Sequence, residues 1–396
     1  MSCLFRSGKT DELVRERGPL TVAAFMDLAL YEPDVGYYAR AAQRSGRAGD
    51  FFTSVDVGPI FGELLEIQIA EMADLLQTQT ARSAEHAAHG FSADSADSAV
   101  AFDLVEVGAG NGRLSADVLR AARRRDPRIF ERTRLHLVEA GPAARAAQRE
   151  TLGDVADRLA STELPSNFEG VLFANELLDA LPVHQVVMRA EGLREVYVDV
   201  ARGGGLVTRE GSPSTPALGA YLERLGIALE PGWRVEINLR ALEWIRDAAS
   251  RLRRGFVILI DYGHEAKELY SATHSAGTLT TFSRHTMAGP ESAPDSPAWL
   301  MAPGEQDITA HVDFTSVRAA AEAAGLTTLG FLDQTYFLLA LAEPARFEGH
   351  AAMKDRLALK TLLMPGGLGS THKVLILGKN VGTPALAGCS YRMRVT

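Results

Sequence analysis

Through the middle of the chain, short apolar runs alternate with stretches of helical periodicity. Phe102–Val107, Leu135–Glu139, Gly170–Ala174 and Phe256–Asp261 are near-continuous apolar runs. Between the first three, 114–125 and 142–152 place apolar residues three or four apart, as one face of a helix requires. Strands that are apolar on both faces and joined by helices predict a parallel sheet buried on both sides. The expected fold class is therefore α/β, a Rossmann-like, doubly wound, mostly parallel sheet. The chain ends in a helix over Phe314–Ala324 and strands around Leu326–Leu332 and Lys373–Leu377. Upstream, Leu20–Leu30 reads as a short amphipathic helix with Thr21 as a possible cap. Pro33 and Gly36 end it, and a second helix is expected from about Pro59 to Leu76.

Three stretches break the rhythm. Thr78–Val100 is rich in Ala, Ser, His and Asp, has few large apolar residues, and reads as a flexible linker. Val196–Pro231 starts strand-like and then turns rich in Gly, Ser and Pro. Gly277–Pro303 carries Pro290, Pro294, Pro297 and Pro303. The expected organisation is an N-terminal helical, cofactor-covering segment over 1–77, the linker over 78–100, and a core over 101–270 with an insertion near 196–231. A substrate-covering insertion over 271–325 and completing strands over 326–396 follow.

Composition narrows the function. The 396 residues carry a formal net charge of −9. An acidic chain gains little from counterion release, so general nucleic-acid binding is disfavoured. Cys3 and Cys389 stand at opposite ends without CxxC spacing, which argues against a zinc site or a disulfide framework. No apolar run reaches the length of a membrane span, and the first residues lack a secretory apolar region. The expectation is a cytoplasmic protein without membrane insertion.

The sharpest local signal is Val105-Glu106-Val107-Gly108-Ala109-Gly110-Asn111-Gly112-Arg113-Leu114, with a strand entering and a helix leaving. Glycines let the backbone turn tightly and approach a ligand. The spacing is GxGxG rather than the GxGxxG of dinucleotide sites, and no Lys-Ser/Thr pair follows, which excludes a P-loop. S-adenosyl-L-methionine has no phosphate and needs backbone groups and carboxylates, so Glu106, Gly108, Gly110 and Asn111 are cofactor-binding candidates. Glu139, 31 residues after Gly108, closes the next strand, where a carboxylate can accept from both ribose hydroxyls. The plainer readings are an ordinary strand–helix turn and a solvated strand-end acid.

Four further segments are distinctive: Gly49-Asp50-Phe51-Phe52-Thr53-Ser54, Asn175-Glu176-Leu177-Leu178-Asp179-Ala180-Leu181-Pro182-Val183-His184, Ile260-Asp261-Tyr262-Gly263, and Pro303 through Phe314. With the glycine loop and Leu30-Tyr31 through Tyr38, they resemble the MidA-like family of S-adenosylmethionine-dependent methyltransferases, from about Gly18 to Gly378. That family includes the mitochondrial complex I assembly protein arginine methyltransferase. The resemblance implies a class I methyltransferase fold, S-adenosyl-L-methionine as cofactor, and methylation of arginine in a protein substrate, with a respiratory complex I subunit as the candidate acceptor. Ala109, Asn111 and the Pro-rich stretch 288–302 depart from the mitochondrial pattern.

Catalytic candidates follow from the acceptor. An arginine side chain is cationic, with a pKa above about 12, so carboxylates must hold it while a nitrogen lone pair lies along the S–CH3 axis. Glu176 and Asp179 are the natural pair, sharing a face if their loop starts a helix; Asp179 alternatively only caps that helix. His311 and Asp313, two apart in an extended segment, are further candidates to orient substrate or relay a proton, with helix capping the alternative for Asp313. His184 reads as a base or a packed core histidine. Thr53, Ser54 and Asn175 complete the cofactor set, and Tyr37 and Tyr38 are candidate lining of an acceptor channel. Glu305, Asp307, His311 and Asp313 are capable of binding metal, but nothing in the sequence requires one. Other readings are a small-molecule or different protein N-methyltransferase, and an assembly factor with vestigial activity.

Overall fold

The computed structural model describes residues 2–39, 52–87, 101–283, 286–289, 297–342, 353–363 and 372–391. Gly49, Asp50, Phe51 and parts of the Pro-rich and linker stretches lie outside them. Seven strands form the main path of the eight-stranded central sheet, with Val312–Asp313 pairing off it onto the end of the fifth: β1 Phe102–Val107, β2 Thr133–Val138, β3 Leu159–Ser161, β4 Phe168–Asn175, β5 Leu252–His264, β6 Thr327–Asp333 and β7 His372–Lys379. Their spatial order is β6-β7-β5-β4-β1-β2-β3. Strands β1 to β5 pair in parallel, whereas β7 runs antiparallel between β5 and β6. The chain winds outward one way from β1 to β3 and the other way from β4 onward. The order therefore reverses between β1 and β4, the place where ligands bind outside the strand ends of such sheets.

Alternation along the buried strands builds a core on each face. In β5, Phe256, Ile258 and Ile260 join one cluster with the helices 60–87, 113–125 and 334–341. Val257 and Leu259 join the other, with the helices 217–225, 239–251 and 314–323. All five side chains are essentially inaccessible. Each such burial contributes about 1.5–3 kcal/mol relative to exposure, which holds the strand ends rigidly beneath the site. Strand approach is tight at Gly170, where a Cβ would meet the carbonyl oxygen of Asp103 at 1.8 Å.

Two expectations change here. The helix expected to end near Leu76 runs over Ile60–Ala87, so residues 78–87 extend a helix rather than begin a linker. Thr80 Oγ1 bonds Leu76 O and receives Arg254, which gives this polar turn partners that composition does not reveal. The stretch 196–231 contributes to a second, five-stranded antiparallel sheet made of Leu20–Thr21, His184–Arg189, Gly192–Val200, Leu206–Gly211 and Arg234–Ile237. The helix Val22–Tyr31, capped by Thr21 as its sequence suggests, shares a core with this sheet together with Trp299, Leu300 and Ile308. Tyr31 and Tyr38 are thereby carried from the far N-terminus to the central sheet. A three-stranded sheet of Thr280–Ser283, Thr286–Ala288 and Asp307–Thr309 lies alongside.

Candidate active site

A cavity of about 380 Å³ opens at the β1/β4 reversal, between the glycine loop, the ends of β2 and β4, the 53–55 segment, the aromatic pair Tyr31–Tyr38 and Trp244. The loop between β1 and the helix Arg113–Arg125 forms its wall. Gly108, Gly110 and Gly112 all have positive φ, the left-handed region that favours glycine. At Gly110 (φ +51°) a Cβ would meet no protein atom within 4 Å, so the missing side chain leaves space for a ligand. Glu139 follows β2 and spans the loop: its Oε2 accepts from Gly110 N at 2.8 Å and its Oε1 from Gly141 N at 2.6 Å. Arg113 reaches Asp56 Oδ1 at 3.0 Å and the carbonyl of Val55, tying the 53–57 turn to the start of the helix.

Glu106, one residue inside β1, is buried and accepts from both the amide and the hydroxyl of Ser115. Burial pushes it up to about 8 against those hydrogen bonds, so it is mostly protonated at neutral pH. Asn175 donates to Glu176 Oε1 at 3.2 Å, while its own Oδ1 is buried without a hydrogen-bond partner. A buried amide oxygen left open on a cavity wall suits a ligand donor. The open space at Gly110, this free acceptor and the two acids Glu106 and Glu139 together fit S-adenosyl-L-methionine, which offers an ammonium, ribose hydroxyls and an adenine amine.

Of the cofactor candidates, Thr53, Glu106, Gly108, Gly110, Asn111, Glu139 and Asn175 line the cavity. Ser54 does not: it is fully buried and hydrogen-bonds the side chain of Gln334. Of the catalytic candidates only Glu176 lines it. Glu176 has φ +51°, a left-handed conformation unusual for a side-chain-bearing residue. Such strain persists only where the surroundings impose it. Here Glu176 N donates to Ile260 O at 2.8 Å, and Asp261 fixes the turn that follows.

The segment 176–183 is a turn, not a helix, so Asp179 caps nothing. Asp261 Oδ2 accepts from the amides of Leu177, Leu178 and Asp179 at 3.1, 2.7 and 3.3 Å, so an acid at the end of β5 replaces a helix as the organiser. Asp179 lies behind the cavity wall. Its Oδ2 accepts from Tyr262 Oη, and its Oδ1 is buried without a partner. Burial pushes Asp179 up to about 7, with the Tyr262 hydrogen bond opposing and Asp307 and Glu176 adding to the rise. Asp261 is raised well above the carboxylate range, first by burial and then by Asp179.

Asp313 takes the capping role: it accepts from Ser316 N at 3.1 Å, from Ser316 Oγ at 2.7 Å and from Tyr221 Oη at 2.6 Å. It does not reach the cavity, nor does it pair with His311. The His311 ring stands edge-on to Tyr262, 5.6 Å between centroids, outside the cavity lining. Burial pushes its pKa down to about 4, so it stays neutral. His184 sits in the second sheet, its Nδ1 2.7 Å from Glu195 Oε1, which is the packed reading. Tyr37 is fully buried, but Tyr38 lines the cavity and donates to Asp307 Oδ1 at 2.8 Å. Tyr31 stacks on Tyr38 and donates to Ala180 O at 2.9 Å.

Sequence reasoning passes over Tyr31, Trp244 and the organising role of Asp261. Trp244 lies on the amphipathic helix Leu239–Arg251, whose pattern names a buried face but not what meets its edge. Asp261 carries a signal, being an acid at the end of a continuous apolar strand.

A family model for S-adenosyl-L-methionine-dependent methyltransferases matches residues 87–332. The mitochondrial protein arginine methyltransferase NDUFAF7 homolog of Drosophila melanogaster is 29% identical, over 91% of this chain and 82% of that protein. The human mitochondrial protein arginine methyltransferase NDUFAF7 is 28% identical, over 82% of this chain and 70% of that protein. A protein from Burkholderia thailandensis solved with bound S-adenosyl-homocysteine is 28% identical and superposes with a TM-score of 0.82, over 98% of this chain and 96% of that one. The names of those two relatives place them in mitochondria, so the cytoplasmic expectation gains no support from them. Among the described residues, no helix is long and apolar enough to cross a membrane.

Proposed function

Because the chain belongs to the family of S-adenosyl-L-methionine-dependent methyltransferases, we propose that it methylates an arginine side chain of a protein substrate, in the cavity at the β1/β4 reversal. The names of its relatives support the acceptor class. The observation that carries the reading is that Glu176, Tyr31 and Tyr38 all line this cavity. A cavity wall that offers a carboxylate and aromatic rings suits a planar guanidinium, which takes charge-assisted hydrogen bonds at its edge and stacks on its face.

When bound, S-adenosyl-L-methionine supplies a methyl group on an electrophilic sulfonium. Gly108 and Gly110 let the backbone approach it, and Glu139 and Asn175 offer acceptors to its polar groups. Glu176 holds the guanidinium edge, which keeps one nitrogen aimed at the methyl. Turning a guanidinium into a methylguanidinium releases one proton, and Glu176 is placed to receive it. Tyr31 and Tyr38 exclude water from the cavity wall they form. Burial keeps both hydroxyls neutral, so they donate to Ala180 and Asp307 rather than compete for the cation. The acceptor protein we infer from the family resemblance is a respiratory complex I subunit.

The test is incubation with methyl-labelled cofactor and whole lysate, followed by acid hydrolysis of labelled protein bands. Methylarginine supports the reading. Label in another amino acid or only in small molecules moves the acceptor class, and no label at all favours an assembly factor.

A further inference from the structure

We propose that His264, His274 and His311 form a three-imidazole site for a divalent transition cation of the zinc class. The three come from separate segments: His264 ends β5, His274 closes the short turn Ala272–His274, and His311 joins the strands Asp307–Thr309 and Val312–Asp313. One potential ligand nitrogen of each lies within 4.8 Å of those of the other two. Their ring centroids are 4.9, 5.3 and 5.8 Å apart.

The surroundings of the rings point to a ligand rather than to simple packing. Glu268 lies against two of the three at the same ring position. Its Oε1 lies 3.0 Å from His264 Nδ1, and its main-chain oxygen lies 3.1 Å from His274 Nδ1. His264 Nδ1 is buried without a hydrogen bond even so, whereas on His274, with Nδ1 bonded, the remaining donor is Nε2. Histidines that bind metal are held in this way, through the second ring nitrogen by a carboxylate or a carbonyl oxygen. The third ring adds an independent sign: His311 Nδ1 is buried without a hydrogen-bond partner. Zinc takes imidazole nitrogens at about 2.0–2.1 Å, so each nitrogen would move inward by roughly 1 Å to close the set. Three imidazoles with a fourth position left to water or to Glu268 suit zinc, copper or nickel and not magnesium.

The consequence is structural. The cation would pin the end of β5 to the segment 307–313. Asp307 of that segment holds Tyr38 at the cavity, and the His311 ring meets Tyr262, which bonds Asp179.

The experiment uses the full chain after treatment with a chelator. Calorimetry with Zn²⁺ should show one site per chain, and Mg²⁺ at the same concentration should show none. His274→Ala should weaken Zn²⁺ binding about 100-fold while S-adenosyl-homocysteine affinity stays within about twofold, which reports that the variant is folded. The unaltered chain supplies a second measurement. Electron spin-echo modulation of its Cu²⁺ form counts coordinated imidazoles, and three are expected. Fewer than three, Zn²⁺ binding no tighter than millimolar, or a folded His274→Ala variant that binds Zn²⁺ as tightly as wild type would overturn the proposal.

Discussion

The two sides of the β1/β4 reversal are built in different ways. On the β1 side, residues 106–113 and Glu139 make the wall, and the contacts are largely local and backbone-based: Glu139 bonds two amides, and glycines shape the rest. On the β4 side, the turn after Asn175 is organised by an acid from β5, faced by two tyrosines from the N-terminus and backed by Asp307. That side gathers several buried acids, with Asp179 raised to about 7 and Asp261 raised well above its ordinary range. A small ligand with fixed chemistry can be met by a fixed loop. An acceptor that must be held as a cation calls for side chains gathered from several segments.

Removing the organiser of the β4 side should have the largest effect. Asp261→Ala leaves the amides of residues 177–179 without their acceptor. Leaving a buried donor unpaired costs about 1–3 kcal/mol, so urea unfolding should report a loss of about 3–6 kcal/mol, with methyl transfer abolished. Asp261→Asn keeps an oxygen for those amides and should lose less than half as much. If Asp261→Ala unfolds like wild type, the turn is held by something else and the contrast between the two sides fails.

Glu176→Gln is expected to separate the sides in function. Glu176 lines the cavity, and its partners Asn175, Ile260 and His372 all lie on the β4 side. Loss of one charge-assisted contact to the reacting group should lower turnover by about 2–4 kcal/mol, roughly 30- to 1000-fold. Cofactor affinity by calorimetry should stay within a few-fold. Asp179→Asn should show a smaller loss of rate, because Asp179 reaches the cavity only through its neighbours. A collapse of cofactor affinity in Glu176→Gln would move this residue to the β1 side.

The same contrast explains what the sequence reveals. The β1 side is legible because strand, glycine loop, helix and acid-ended strand follow one another within 38 residues, Phe102 to Glu139. The sheet is legible for a related reason: strands buried on both faces must be apolar throughout. The β4 side is only half legible. Glu176 and Asp179 announce themselves, but a turn held by Asp261 looks like a helix start when the acceptor for its amides lies 82 residues or more away. His311 and Asp313 read as a pair by spacing alone, yet helix capping and a tyrosine claim Asp313 and aromatic rings surround His311. Residues 78–87 read as linker because a helix that finds polar partners elsewhere in the fold needs few large apolar residues.

On the β1 side, Gly110→Ala should act on cofactor binding with little effect elsewhere. An alanine held at φ +51° is disfavoured by about 1–2 kcal/mol, and its Cβ would point into open cavity space. S-adenosyl-homocysteine affinity should fall about tenfold. Unchanged affinity in calorimetry would show that the ligand does not approach this loop.

The smallest effect expected tests whether Glu106 meets the cofactor at all. Burial pushes its pKa from an ordinary 4.5 up to about 8, so at neutral pH the free protein holds a proton there. A cationic group bound beside Glu106 would favour its charged form and drive that proton off. Cofactor binding should then release protons, and affinity should rise with pH through the window set by that pKa, by about fivefold between pH 7 and 8 if the bound form is fully ionised. Calorimetry in buffers of different ionisation enthalpy reads the released protons directly. The ligand's own amine titrates in the same range, so Glu106→Gln is the reference: the proton release and pH slope assigned to Glu106 should vanish in it while those of the ligand remain. Stability supplies the sign check. A raised carboxyl pKa makes the folded state bind more protons than the unfolded one between pH 4.5 and 8, so Glu106 lowers stability progressively as pH rises through that window. Glu106→Gln should flatten that dependence. Proton release equal in wild type and Glu106→Gln would remove Glu106 from contact with the cofactor's cation and leave it a buried partner of Ser115 alone.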